Sequence, residues 1–294
     1  MTDYIAAYKA YLLNVKKSSS NTVESYIRDV HQYSEYCSSI GKYVEKISSV
    51  DFHGYLDFLS VIGKSEATKT RILASLRCFY KFLVSKGVCE VNPTDDVKIK
   101  RTEKKLPGIL DSNEIMLLLS QPDGTDYKSR RDKAMLELLY ATGIKVSELI
   151  DLTLSNINLQ IGILHLHTNK NERIVPMYPA AVKTVASYLA NVRPAIVTDE
   201  SEDRLFTNMN GQPMSRQGFW KIIKHYAEKA GIKKDITPHT LRHSFAAHLL
   251  ENGAQLKDIK EMLGHSDISS TQVYAQFVKN KYTVAYAKYH PLAK

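Results

Sequence analysis

Apolar residues recur at helical spacing through the first third of the chain. Tyr4, Tyr8, Tyr11 and Leu12 share one face, and the polar run Ser18-Ser19-Ser20-Asn21 ends the pattern. Asn21 or Ser20 is the expected cap of a second helix, with Val23, Tyr26, Ile27 and Val30 on its buried stripe. A third helix is expected from about Ser49 to Ile62, stopped by Gly63. A fourth runs from about Ser65 to Ser85 and stops before Gly87; Ile72, Leu76, Phe79, Phe82 and Leu83 point inward. Residues 1–98 thus read as a small four-helix unit.

Asn92-Pro93 opens a different kind of segment. The stretch from Lys98 to Lys105 is charged and has no apolar period, and Pro107-Gly108 follows. A basic linker is placed at 99–106. It reads as a solvated connector, and its charge also suits a strap along a phosphate backbone. The second domain, 107–294, resumes helical spacing at Glu114–Ser120 and Ser129–Ala141. Ile161–His167 and Glu172–Met177 are β-branched and apolar, and Asn169-Lys170-Asn171 between them makes a hairpin turn. Further helices are expected at Ala181–Leu189, Ser215–Ala230, Pro238–Asn252, Leu256–Leu263 and Ser269–Val278, with a tail from about 279. The fold class is mainly α with a small antiparallel β-sheet, in two domains.

Composition narrows the setting. The chain of 294 residues is 44% hydrophobic, enough for a core, and no run reaches the ~18 apolar residues of a membrane span. Met1-Thr2-Asp3-Tyr4 lacks the marks of a signal peptide. Cys37, Cys78 and Cys89 are too few and scattered for a disulfide framework or a four-cysteine zinc site. A cytoplasmic protein is expected. Lys and Arg number 40 against 31 Asp and Glu, a net +9, which is compatible with a polyanion partner without requiring one.

Three pieces near the C-terminus carry chemistry. His239-Thr240-Leu241-Arg242 puts an imidazole and a guanidinium on one helical face. Leu263-Gly264-His265 follows, and then Tyr274. Singly each is weak: one tyrosine among 18 is ordinarily packing, and a His after a helix-ending Gly is often a cap. In combination they suit a phosphodiester. The arginine fork matches two phosphate oxygens. Histidine can bond the phosphate or move a proton near neutrality. A phenol attacks phosphorus once the phosphoryl charge is neutralised and its proton has somewhere to go.

These segments resemble the tyrosine recombinases, the phage integrase family, and within it the Xer-type site-specific recombinases. The resemblance spans essentially the whole chain. It rests on Ala141-Thr142-Gly143-Ile144-Lys145-Val146-Ser147-Glu148-Leu149, the H-x-x-R segment, Leu263-Gly264-His265 and Tyr274. Leu205-Phe206 and the segment from Ser215 to Trp220 fit the same pattern. It implies a C-shaped clamp on duplex DNA, with 1–98 as the core-binding domain and 107–294 as the catalytic domain. It also implies a homo-tetramer or paired dimers on two recombination sites, a monomer when free, and a tail that docks into a neighbouring subunit. A related recombinase or accessory protein is a further possible partner; no membrane is involved. By position Tyr274 is the nucleophile that forms a 3′-phosphotyrosyl bond. Arg242 stabilises the phosphorane, His239 and His265 bond its oxygens and assist proton transfer, and Glu148 supports them. No metal or nucleotide cofactor is implied. Chromosome-dimer resolution and mobile-element integration or excision both fit.

Two positions depart from the family pattern. Lys145 stands where the pattern has its first catalytic arginine, and lysine keeps the charge while giving up the fork. It is either natural and compensated, or a substitution that holds a DNA complex in place. In the hairpin, Thr168 falls where the family supplies a general-acid lysine, and Lys170 lies two residues on. Lys170 either reaches the leaving group, contacts a phosphate, or is a solvated turn residue. Arg173 is expected to be structural or a DNA-backbone contact. Arg216, Gln217 and Lys221 open a helix suited to phosphate or base edges. Lys69, Thr70 and Arg77 are expected on a helix in the major groove. Trp220 is expected in the core. Besides the recombinase, a DNA-binding scaffold that does not cut and a type IB topoisomerase are weighed; the Xer-like first domain argues against the latter. Removing one preorganised donor to a transition-state oxyanion costs about 10²–10³ in rate. Lys145→Arg is therefore expected to raise cleavage by about tenfold or more with little change in DNA affinity. Single-turnover cleavage measures this, and an unchanged rate would show that the site does not rely on a guanidinium there.

Overall fold

Serine side chains start three helices of the N-terminal part. In the computed structural model, which describes residues 2–98, 108–124, 126–167, 172–199, 201–265, 267 and 270–275, α1 (Thr2–Asn14) is followed by α2 (Ser20–Ser39), capped by Ser19. The Ser19 hydroxyl accepts the Thr22 N–H at 3.3 Å. Sequence placed this cap at Ser20 or Asn21; three consecutive serines can all cap, and the extended backbone of Ser19 decides among them. α3 (Ser49–Val61) opens with a reciprocal Ser48–Asp51 capping box, and α4 (Glu66–Ser85) is capped by Ser65.

These four helices close on an aromatic core. Tyr8, Tyr33, Phe52, Tyr55, Phe79 and Tyr80 are all buried. Two of the hydroxyls pair: Tyr33 and Tyr80 are 2.8 Å apart, and Tyr80 donates to the Val44 carbonyl at 3.0 Å. The buried Asp29 of α2 is held by both terminal nitrogens of Arg71 from α4, at 2.6 and 2.7 Å. Chain contacts divide the protein into two compact units, Met1–Lys104 and Lys105–Lys294. The linker at 99–106, the hairpin turn with Thr168 and Lys170, and the tail from 279 lie outside the described residues.

The second unit is built around α6 (Tyr127–Thr142), which follows α5 (Ser112–Ser120). Ala134, Met135, Leu136, Leu138 and Leu139 of α6 are buried on successive faces, the mark of a helix surrounded by others. It ends at Gly143, whose φ of 58° is left-handed. α7 (Val146–Asp151) leads to a three-stranded antiparallel sheet in the order β1 (Ile157–Asn158), β2 (Ile163–His167), β3 (Glu172–Pro176). β2 alternates: Leu164 and Leu166 are buried, while His165 and His167 face outward. His167 pairs with Glu172 across the hairpin. The two-residue β1 carries no readable alternation, and sequence periodicity did not disclose it or α7.

α8 (Pro179–Asn191) packs on α6 and is followed by the short α9 (Arg193–Ile196). α10 (Arg216–Lys229), α11 (Pro238–Glu251) and α12 (Leu256–Leu263) complete the unit, and residues 270–275 are helical. A Cβ at Gly143 would overlap the Phe245 ring of α11. Gly143→Ala therefore adds left-handed strain to overpacking, about 2–4 kcal/mol together. The melting transition of the second unit is expected to drop by about 5 °C or more. A calorimetric Tm unchanged within error would show that Phe245 moves aside at little cost.

Candidate active site

The first turn of α11 presents the H-x-x-R pair. Thr237 caps it by accepting the Thr240 N–H at 3.3 Å, and Pro238 occupies the first helical position. Helical spacing then puts His239, Arg242 and His243 on one face. Arg242 is 4% exposed. One terminal nitrogen donates to the Gly143 carbonyl and the other to the Leu263 carbonyl, each at 2.6 Å. These acceptors lie at the C-terminal ends of α6 and α12, where unpaired carbonyls favour a cation. Burial pulls the guanidinium below its ordinary value, countered by the charges of Glu148 and Tyr274.

Glu148 is engaged elsewhere. Its carboxylate accepts the Arg173 Nη2 at 2.7 Å and the Lys145 backbone N–H at 2.8 Å. Arg173 also donates Nε to the Met262 carbonyl at 2.9 Å, so it ties β3 to α7 and α12. Gly264, left-handed at φ 63°, keeps this space open: a Cβ there would lie 2.8 Å from Arg173 Nη1. Burial pushes the Glu148 carboxyl up, but the Arg173 hydrogen bond, the Lys145 N–H and both cationic charges outweigh it, leaving the group below its ordinary value.

Lys145 is exposed at the N-terminus of α7 and borders a cavity of about 410 Å³. Arg216, Gln217, Trp220, His239 and Arg242 also line it, with no acidic side chain among the described lining residues. Trp220 was expected in the core. Instead it is 39% exposed, with the Lys224 ammonium 5.3 Å from its ring centre. The buried stripe of α10 is Phe219, Ile223, Tyr226 and Ala227, and position 220 is rotated off that stripe toward the cavity.

Tyr274 is 1% exposed and packs against Phe245, Ala246, Ile259 and Leu263. Its hydroxyl lies 2.8 Å from His243 Nδ1. Burial raises the phenol, with the Arg242 charge pulling the other way. Burial, reinforced by His239 and Arg242, lowers His243 to about 4. His265 is likewise lowered to about 4 by burial and the surrounding cations, and its Nδ1 lies 3.0 Å from the Thr271 hydroxyl. Both imidazoles are thus neutral at physiological pH. Sequence reasoning did not single out His243. The available signal was its position four residues after His239 and one after Arg242, which puts all three on one helical face.

Residues 109–281 match the phage integrase family, and residues 5–87 match the phage integrase N-terminal SAM-like domain. Two relatives named tyrosine recombinase XerD align along nearly the whole chain. That of Halalkalibacterium halodurans is 45% identical over 278 residues, covering 94% of this chain and 93% of its own. That of Staphylococcus epidermidis is 40% identical over 300 residues, covering 100% of both. The chain belongs to the phage integrase family of tyrosine recombinases. The crystal structure of XerH site-specific recombinase bound to palindromic difH substrate shares the fold, with a TM-score of 0.76 at 20% identity over 92% of this chain and 81% of that one.

The structure of this phage integrase protein brings together Arg242, His265, Tyr274, Lys145, Glu148 and Arg173 of the sequence-derived set, with His239 at the cavity rim. Arg216, Gln217 and Lys221 are exposed on the first turns of α10. In the N-terminal unit Lys69, Thr70 and Arg77 each make bonds within the unit. Arg77 donates Nε and Nη2 to the Thr94 carbonyl, at 3.2 and 3.0 Å, and also reaches Val97. Lys69 pairs with Glu66 and bonds the Ser60 hydroxyl at 2.9 Å. Thr70 bonds back to the Glu66 carbonyl at 2.8 Å. Among the described residues, one group has donor spacing for a metal ion: His165, His167 and Glu172, with ligand atoms within 4.8 Å of one another on the outer face of the hairpin.

Arg173→Ala leaves the half-buried Glu148 carboxylate without its cation, at an expected cost of about 3 kcal/mol near neutral pH. A carboxyl held below its ordinary value contributes stability that is present at neutral pH and lost as pH falls through the depressed value. The gap in denaturation midpoint between wild type and Arg173→Ala should therefore narrow in acid. A gap independent of pH would assign the loss to packing and the Met262 bond.

Proposed function

We propose that this chain is an Xer-type site-specific recombinase that cuts and rejoins DNA through a 3′-phosphotyrosyl intermediate. The observation that carries this reading is the Tyr274 hydroxyl held among a buried arginine and neutral imidazoles, with that arginine lining a cavity that has no acidic side chain among its described lining residues. In this reading Tyr274 attacks the scissile phosphorus. Arg242 and Lys145 neutralise the phosphoryl oxygens, with His239 and His265 as further hydrogen-bond partners. Glu148, through the Lys145 N–H and Arg173, positions the first catalytic segment. Lys170 protonates the departing 5′-oxygen. Arg216, Gln217 and Lys221 bind the duplex beside the cavity, and the exposed cations of the N-terminal unit bind it farther along.

Attack requires the side chains that cover the Tyr274 oxygen to move aside, because a phosphate cannot reach an oxygen on a residue 1% exposed. Assembly on DNA is the natural trigger. The working form is a homo-tetramer on two recombination sites in the cytoplasm, serving chromosome-dimer resolution or the movement of a mobile element. A second reading has its own support. Lys145 lacks the arginine fork, and both terminal nitrogens of Arg242 are on backbone carbonyls. Together these features suit a scaffold that occupies the site without cutting.

A duplex nicked beside the scissile phosphate, so that the cut fragment diffuses away, separates the two. The recombinase is expected to form a covalent protein–DNA adduct that Tyr274→Phe abolishes while binding persists. Binding without adduct by the unaltered chain, on a site it recognises, would establish the scaffold instead.

A further inference from the structure

Among the described residues, the Tyr274 hydroxyl has one hydrogen-bond partner, His243 Nδ1 at 2.8 Å, and the two rings sit 5.6 Å apart between centroids. The family resemblance assigned no role to this histidine. The other two imidazoles are placed differently. His239 is exposed at the cavity rim, 6.2 Å from the His243 ring. His265 has its Nδ1 directed to the Thr271 hydroxyl. Of the three, His243 alone touches the atom that must lose a proton.

We propose that His243 is the proton acceptor for the Tyr274 oxygen during strand cleavage and returns that proton during religation. The proposal rests on the recombinase reading above. A lone pair of the Tyr274 oxygen forms the O–P bond while its proton passes to Nδ1. The P–O5′ bond breaks, and the departing oxygen takes a proton from a separate acid, Lys170 in that reading. Religation reverses each transfer: the 5′-hydroxyl attacks, its proton returns to that acid, and the imidazolium reprotonates the phenol.

The surroundings of His243 fit this role. His239 and Arg242 face it from its own helix, Tyr274 from the turn at 270–275, and His265 from the segment after α12. Among the described residues, no carboxylate is set against it. Without DNA, burial and neighbouring cations keep the imidazole neutral, so Nδ1 accepts and the phenol keeps its proton. A phosphodiester entering the cavity brings the negative charge that favours an imidazolium. Proton transfer is thereby tied to the presence of substrate.

The test is single-turnover cleavage of the nicked duplex by wild type, His243→Ala, His243→Gln and Tyr274→Phe, between acid and alkaline pH, with and without added imidazole. Loss of a general base slows cleavage by about 10²–10⁴. His243→Ala is expected to fall by that factor at unchanged DNA affinity, and imidazole should restore much of the rate. Tyr274→Phe should not be rescued. The wild-type rate should fall at low pH as the imidazole gains a proton before attack, and His243→Gln, slow throughout, should lack that limb. Should His243→Ala fail to fold, the profile of His243→Gln decides. A folded His243→Ala that cleaves within about twofold of wild type, or gains nothing from imidazole, overturns the proposal; so does a His243→Gln profile that keeps the acid limb. Absence of a Tyr274-dependent adduct in the wild type would instead remove the recombinase reading itself.

Discussion

A guanidinium buried between two helix ends organises the second unit. Arg242 is nearly inaccessible, yet among the described residues no carboxylate bonds it; its fork closes on the carbonyls of Gly143 and Leu263. Carbonyl dipoles satisfy its donors without cancelling its charge. Both helices stop at left-handed glycines, so their last carbonyls stay free to turn toward it. The nearest acid of the site, Glu148, is bonded to Arg173. The fold thus keeps one cation paired and leaves the other electrostatically open, which is the condition an anionic substrate needs.

That open charge shapes its neighbours. Burial is the largest influence on Arg242, His243, His265 and Tyr274 alike, and each is pushed toward its neutral form. The site at rest therefore holds two uncharged imidazoles and a protonated phenol beside a cation. A phosphate reverses the balance by supplying the missing negative charge. A phenol kept protonated and covered is chemically quiet in the free protein.

The N-terminal unit spends its cations differently. Arg71 closes on Asp29 and Arg77 on backbone carbonyls near the end of the unit, which hold the helices and the outgoing chain in place. Lys69, with its side chain 12% exposed, is similarly tied to Glu66. From sequence, a lysine or arginine on a helix beside polar neighbours is the same whether it faces a phosphate or a carboxylate. The partner distinguishes them, and for Arg71 and Arg77 it lies 42 and 17 positions away.

Local order was largely legible. α12 falls at the residues its spacing indicates, α4 buries the stripe read from its period, and the hairpin strands differ only at their ends, because each depends on neighbours within a few positions. Where several residues met the same local requirement, as at Ser19, or an element was too short to show a period, as in β1, sequence did not decide. Trp220 was misplaced because its size suggested burial, whereas its angular position on α10 sends it to the cavity. Motif and spacing singled out one tyrosine, one arginine and flanking histidines, and the fold brings Tyr274, Arg242 and His265 close together. Their partners were not readable in this way. His243 meets Tyr274 across 31 positions and Arg242 meets Gly143 across 99. Such pairings arise when packing brings separate helices together, so tertiary structure alone decided which charge is open and which imidazole meets the Tyr274 hydroxyl.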